Sequence, residues 1–86
     1  MKIDNTQNTV LISGGTQGLG LEIARNLAEN GCREIILAGR TAETGVRAKA
    51  EISSLGATCH YIQADISDAD QARNLIETSI AHFDGL

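Results

Sequence analysis

Apolar and polar positions along the chain fall into alternating short and long blocks. Thr9 to Ser13 (TVLIS) is a short apolar run rich in β-branched residues. It predicts a strand buried on both faces. Gly14 to Gly20 follows as a glycine-rich turn. From Leu19 to Asn30, Ile23, Ala24, Leu27 and Ala28 recur at helical spacing. Gly31 stands where the residue after a helix C-cap belongs. Glu34 to Gly39 (EIILAG) predicts a second buried strand. Thr41 is placed to cap the next helix, in which Ala48, Ile52 and Leu55 share a face and which Gly56 ends. Thr58 to Ala64 (TCHYIQA) predicts a third strand. Ser67 is the expected cap of a third helix, with Asp70 completing an acidic capping box. Leu75, Ile76, Ile80 and Phe83 are its expected apolar stripe. At Gly85-Leu86 a fourth strand is expected to begin.

Strand, helix, strand, helix, strand, helix implies parallel strands joined by right-handed crossovers. The expected architecture is a three-layer α/β unit, βαβαβα, with local strand order 3-2-1. With 86 residues, one domain spans 1–86, and it is expected to stop short of a fourth strand. The first strand would then carry an unpaired apolar edge, and self-association through that edge is expected. The absence of proline lets helices and strands run unbroken.

A net charge of −4, with scattered basic residues, argues against nucleic-acid and membrane-surface roles. No apolar run approaches the roughly 20 residues that span a bilayer. Residues 1–8 are polar and carry no signal-peptide core, so the cytoplasm is the expected location. Cys32 and Cys59 lie far apart, with no C-x-x-C pair and no metal-ligand spacing, and read as buried, reduced thiols. His60 and His82 have no partner at ligand spacing, so no metal is expected.

The central chemical signal is Ser13-Gly14-Gly15-Thr16-Gln17-Gly18-Leu19-Gly20, directly after a strand and opening a helix. Helix N-terminal amides are unpaired and partly positive, so a pyrophosphate is stabilised there. Side chains would block its approach, which explains the bare loop. Gly14 allows the tight turn, Gly18 lets backbone approach phosphate, and Gly20 is expected to let the helix pack on the first strand. Thr16, Gln17 and Leu19 complete the loop. Spacing rules out other glycine loops. Leu21-Glu22 stands where a P-loop needs Lys then Ser or Thr, and Ile23 stands where G-x-G-x-x-G, started at Gly18, needs glycine. What fits is G-x-x-x-G-x-G, set in a βαβαβα order that makes one mononucleotide-binding half of a Rossmann fold.

That spacing, in this strand–helix context, resembles the short-chain dehydrogenase/reductase family, whose loop reads T-G-x-x-x-G-x-G. Ser13 replaces the threonine and keeps its hydroxyl. The run TVLISGGTQGLGLEIARNLAENG is also similar to acyl-carrier-protein reductases and to ketoreductase domains of polyketide synthases. The resemblance covers residues 8 to 86 and implies an oxidoreductase that moves hydride between NAD(P) and a small carbonyl or alcohol.

The end of the second strand chooses between cofactors. An acid there binds the ribose 2′-hydroxyl of NAD; a basic residue accommodates the 2′-phosphate of NADP. The sequence is Leu37-Ala38-Gly39-Arg40-Thr41, with no acid at the tip. Arg40 offers a bidentate fork and Thr41 a hydroxyl, so NADP is expected over NAD. The alternative is a surface arginine opening a helix. Gln17 stands where NADP-preferring family members often carry a basic residue. At the end of the third strand, the resemblance implies that Asp65 accepts from the exocyclic amine of adenine and that the Ile66 amide donates to a ring nitrogen. The alternative for Asp65 is a strand-end cap.

The family's catalytic Ser, Tyr, Lys and Asn belong beyond a fourth strand. Tyr61 is followed four residues later by Asp65, not Lys, and reads as core. No catalytic residue is therefore assigned, and the chain alone is expected to be inactive. Two functions fit: the cofactor-binding part of an NADP(H)-dependent reductase, or a non-catalytic nucleotide-binding fragment or split-domain interaction module. In-frame DNA beyond Leu86 encoding a Tyr-x-x-x-Lys would favour the first.

Overall fold

A computed structural model describes residues 9–84, with the side chains of 82–84 left aside. The elements run β1 (Thr9–Ser13), α1 (Gly18–Glu29), β2 (Glu34–Gly39), α2 (Ala42–Ser54), β3 (Thr58–Gln63) and α3 (Ala69–Asp84). The three strands are parallel in the order β1-β2-β3, which is 3-2-1 read from the other edge. This is the expected Rossmann-type βαβαβα unit.

The central strand carries the core because it is covered on both faces. Ile35, Ile36 and Leu37 of β2 are fully buried, each worth about 1.5–3 kcal/mol in transfer free energy. Side chains alternate across the sheet. Ile35 and Leu37 meet Ala24 and Ala28 of α1 and Ala48 and Ile52 of α2, with Val10, Ile12 and Tyr61 packed alongside. Ala38 joins Ala64 and Leu75 of α3 on the opposite face, with Leu11 and Ile62 alongside. Cys32 and Cys59 are buried, and burial pushes the Cys59 thiol up to about 11.

Several expectations are corrected. β1 is only half-buried, because among the described residues it pairs with β2 alone and forms an edge. β3 ends at Gln63 rather than Ala64, whose amide instead bonds to the Gly39 carbonyl at 3.0 Å. On α3, Leu75 and Ser79 face inward, while Ile76 and Ile80 are exposed. Leu75 and Ser79 are four apart and share one narrow stripe, the buried positions of α3 among the described side chains. Ile23 and Leu55 are likewise more exposed than their spacing predicts. Phe83 and His82 lie outside the described side chains, and residues 1–8 and 85–86 outside the described residues. Gly31 and Gly56 adopt positive φ after α1 and α2, as expected for helix-terminating glycines.

Candidate nucleotide-binding site

All three strands point their C-terminal ends to one edge of the sheet, and backbone hydrogen bonds tie the loops there together. The amides of Gly14 and Gly15 both donate to the Ala38 carbonyl, at 2.8 and 3.3 Å, fixing the first loop against the end of β2. Gly14 and Gly18 hold φ of 72° and 60°, the left-handed region that side chains disfavour. A Cβ on Gly18 would meet nothing within 4 Å, so the loop leaves open space there. A Cβ on Gly20 would run into the Gly14 carbonyl. Gly20 therefore lets α1 close on the turn itself, not on β1 as expected. Gln17 is the extended N-cap of α1 and makes no side-chain cap bond, and no acid occupies the first turn. The first-turn amides are thus left without an anionic competitor.

Thr16 is buried, and a Cβ on Gly39 would come within 2.7 Å of its hydroxyl. The Gly39 carbonyl accepts from the Tyr61 hydroxyl at 2.8 Å and from the Ala64 amide at 3.0 Å. The next carbonyl, that of Arg40, accepts from Gln63 Nε2 at 3.1 Å. Arg40 and Thr41 are exposed, and the Arg40 guanidinium makes no ion pair among the described residues. Thr41 occupies the N-cap of α2 but makes no side-chain cap bond; Thr44 Oγ1 instead donates to the Thr41 carbonyl at 2.9 Å.

After β3, Asp65 Oδ1 accepts from the Ser67 hydroxyl at 2.7 Å and the Ser67 amide at 3.0 Å. These two bonds hold the Asp65 carboxyl below the usual carboxylate range, and the positive charge of Arg40 adds to them. The Asp65 amide donates to Gln71 Oε1 at 2.8 Å. Ser67 is consumed in this turn and does not cap α3. Asp68 does, accepting from the amides of Asp70 and Gln71 at 2.9 and 3.2 Å, because it directly precedes the helix.

The three loops enclose an open cleft of about 350 Å³. Gly14, Thr16, Gln17, Arg40, Thr41, Asp65 and Ile66 line it, so the structure brings these expected positions together. Ser13, Gly18, Leu19 and Gly20 do not line it. Ser13 ends β1, and the other three form the first turn of α1 beside it. Sequence reasoning missed Gly39, Thr44 and Ser67 in the lining. It also missed Tyr61, Gln63 and Gln71 behind it. The Asp65 carboxylate reaching the Ser67 amide two residues on closes an Asx turn, which an Asp at a strand end permits but does not specify. A second groove, of about 290 Å³, continues from Thr16, Gln17 and Thr44 between α1 and α2 toward Arg47 and Glu51. Among the described residues no group of His, Cys, Asp and Glu could hold a metal, and no helix is long and apolar enough to cross a membrane.

A bare loop, exposed helix amides, an arginine and a carboxylate around one cleft suit a ligand carrying phosphates and a base. The model of the KR domain family matches residues 8–86. Human short-chain dehydrogenase/reductase 3 is 38% identical over 68 residues, 79% of this chain and 22% of that protein. The structure of a Pseudomonas aeruginosa RhlG/NADP active-site complex is 30% identical, with a TM-score of 0.80, over 93% of this chain and 31% of that one. An NADPH-bound short-chain oxidoreductase from the same organism is 26% identical, with a TM-score of 0.80, over 88% of this chain and 30% of that one. The chain spans about a quarter of the length of the curated relatives it matches. With its loop spacing, its parallel sheet and this match along nearly its whole length, the chain belongs to the KR domain family of short-chain dehydrogenases/reductases.

Proposed function

We propose that this chain binds NADP(H), in preference to NAD(H), as the cofactor-holding part of a reductase acting on a small carbonyl or alcohol. The single observation that carries the reading is the cleft itself, in which Arg40 stands exposed beside the glycine loop with no acid at the β2 tip. The residues present fit the group: Gly18 leaves space that a Cβ would otherwise enter, and the first turn of α1 carries no acid. The amides of Gly18, Leu19 and Gly20 would hold the pyrophosphate. Arg40 and Thr41 would hold the 2′-phosphate, and Gln17 the loop side of it. Asp65 and the Ile66 amide would hold the adenine. When bound, the nicotinamide supplies the hydride that is given or taken; this chain's residues bind and orient it. Two relatives solved with NADP and NADPH, reported above, support the cofactor class.

Fluorescence titration of the chain with NADPH and with NADH tests the reading. NADPH should bind at least about tenfold more tightly, the worth of one charge-assisted contact of about 1.5–3 kcal/mol. Equal affinities would contradict it. The edge of β1, with Ile76 and Ile80 exposed on α3, also supports self-association, which sedimentation at micromolar concentration would detect.

A further inference from the structure

We propose that Tyr61 and Gln63 of β3 are positioning residues for cofactor discrimination: they fix the β2 tip that carries Arg40, and so set how strongly NADPH is preferred over NADH. The inference rests on Arg40 reading the 2′-phosphate.

Two successive carbonyls at the tip, those of Gly39 and Arg40, accept hydrogen bonds from these two side chains, at 2.8 and 3.1 Å. Neither bond belongs to the strand ladder. Tyr61 and Gln63 are two apart on β3 and share a face. The Tyr61 ring fits a slot that α2 leaves only because residue 45 is glycine; a Cβ there would overlap the ring. From the other side, buried Thr16 packs on Gly39. The tip is therefore clamped between the glycine loop, β3 and α2. Burial raises the Tyr61 hydroxyl above its ordinary value, so it remains a donor at neutral pH.

Arginine has much rotamer freedom to lose on gripping a phosphate. A fixed backbone removes one part of that loss before the ligand arrives, which is how supporting contacts raise affinity without touching the ligand. NADH has no 2′-phosphate and gains nothing from the clamp. The clamp therefore acts on the ratio of the two affinities.

The test is a set of titrations with NADPH and NADH on the full chain and on Tyr61→Phe, Gln63→Leu and Arg40→Ala, alone and combined. Tyr61→Phe keeps the ring in the Gly45 slot, and Gln63 is exposed, so at least one variant folds. Each should weaken NADPH by about three- to tenfold, the worth of one hydrogen bond, and leave NADH within about twofold. In the Arg40→Ala background neither should change the ratio further. Equal weakening of both cofactors would show a merely structural role and overturn the inference, as would a loss that persists without Arg40. If Arg40→Ala removes the NADPH preference while Tyr61→Phe and Gln63→Leu keep it, the inference falls and the Arg40 reading stands. If Arg40→Ala keeps the preference, both fall.

Discussion

At the N-terminal end of the sheet, Thr9, Glu34 and His60, one from each strand, bond to one another: Thr9 Oγ1 donates to Glu34 Oε1 at 3.1 Å, and His60 Nε2 lies 2.8 Å from Glu34 Oε2. At the C-terminal end the same strands tie their backbone groups together instead. Gly14, Gly15 and Ala64 donate to the carbonyls of Ala38 and Gly39, while the side chains of Arg40 and Thr41 face solvent. One end ties its strands together through polar side chains; the other ties its loops through backbone carbonyls and leaves the Arg40 and Thr41 side chains exposed. A parallel sheet gathers loop backbone and helix N-termini at its C-terminal end, which is why the ligand is proposed for that end. The two ends differ in what they leave open: the C-terminal edge keeps the Arg40 and Thr41 side chains exposed and the first turn of α1 without a side-chain cap.

The sharpest way to break this contrast is through the glycine loop. Gly20→Ala drives a Cβ into the Gly14 carbonyl, so it should lower stability by about 2–4 kcal/mol and remove NADPH binding. Gly18→Val points into open space and should cost only about 1–2 kcal/mol for its positive φ, yet still abolish binding. Urea unfolding beside NADPH titration separates the two. Gly18→Val with unchanged affinity would remove the phosphate-loop assignment. Next comes Arg40→Asp, which trades a phosphate contact for repulsion. It should weaken NADPH by about 2–4 kcal/mol more than NADH. Equal loss for both cofactors would show that Arg40 does not read the 2′-phosphate.

The opposite end supplies the control. Glu34→Gln alters the bonds with Thr9 and His60 and should cost about 1 kcal/mol of stability, with NADPH affinity unchanged. A Glu34→Gln variant that folds but binds poorly would dissolve the distinction between the ends. The smallest effects concern pH. Asp65 has its folded pKa below its ordinary 3.8, so its ionised form favours the folded state. That contribution is present above about pH 4 and is lost as pH falls through the lower folded value. Cys59 is the converse: its contribution is present below 9.0 and lost as pH rises toward about 11. Urea titrations across both limbs, with Asp65→Asn and Cys59→Ala as references, check the two signs.

Most of the architecture was legible because period and punctuation agree. Short strands of five or six residues alternate with helices followed by Gly31 and Gly56, and Ala24, Ala28, Ala48 and Ile52 sit on the faces their spacing predicts. Less legible was which apolar positions would be covered. Ile76 and Leu75 are adjacent in sequence and equally apolar, but only Leu75 meets the sheet, since helix orientation is decided by tertiary packing. In the candidate site, the positions of the glycine loop and Arg40 were legible from their offsets to strand ends, and that of Asp65 from the family resemblance. Ser67 as the partner of Asp65, and Asp68 as the cap, were not separable by type, since Ser and Asp both cap helices and both close Asx-type turns. Tyr61 reaching Gly39 depends on the register of β2 with β3 and on a glycine in α2, contacts that no local pattern encodes.

The most direct test is amide chemical-shift mapping of the ¹⁵N-labelled chain on addition of NADPH. Shifts are expected at Gly14 to Gly20, at Arg40 and Thr41, and at Asp65 and Ile66, with Glu34 and Thr58 to His60 unmoved. Shifts gathered at the Glu34–His60 end, or a saturating addition that moves none of the glycine-loop amides, would contradict the proposed site.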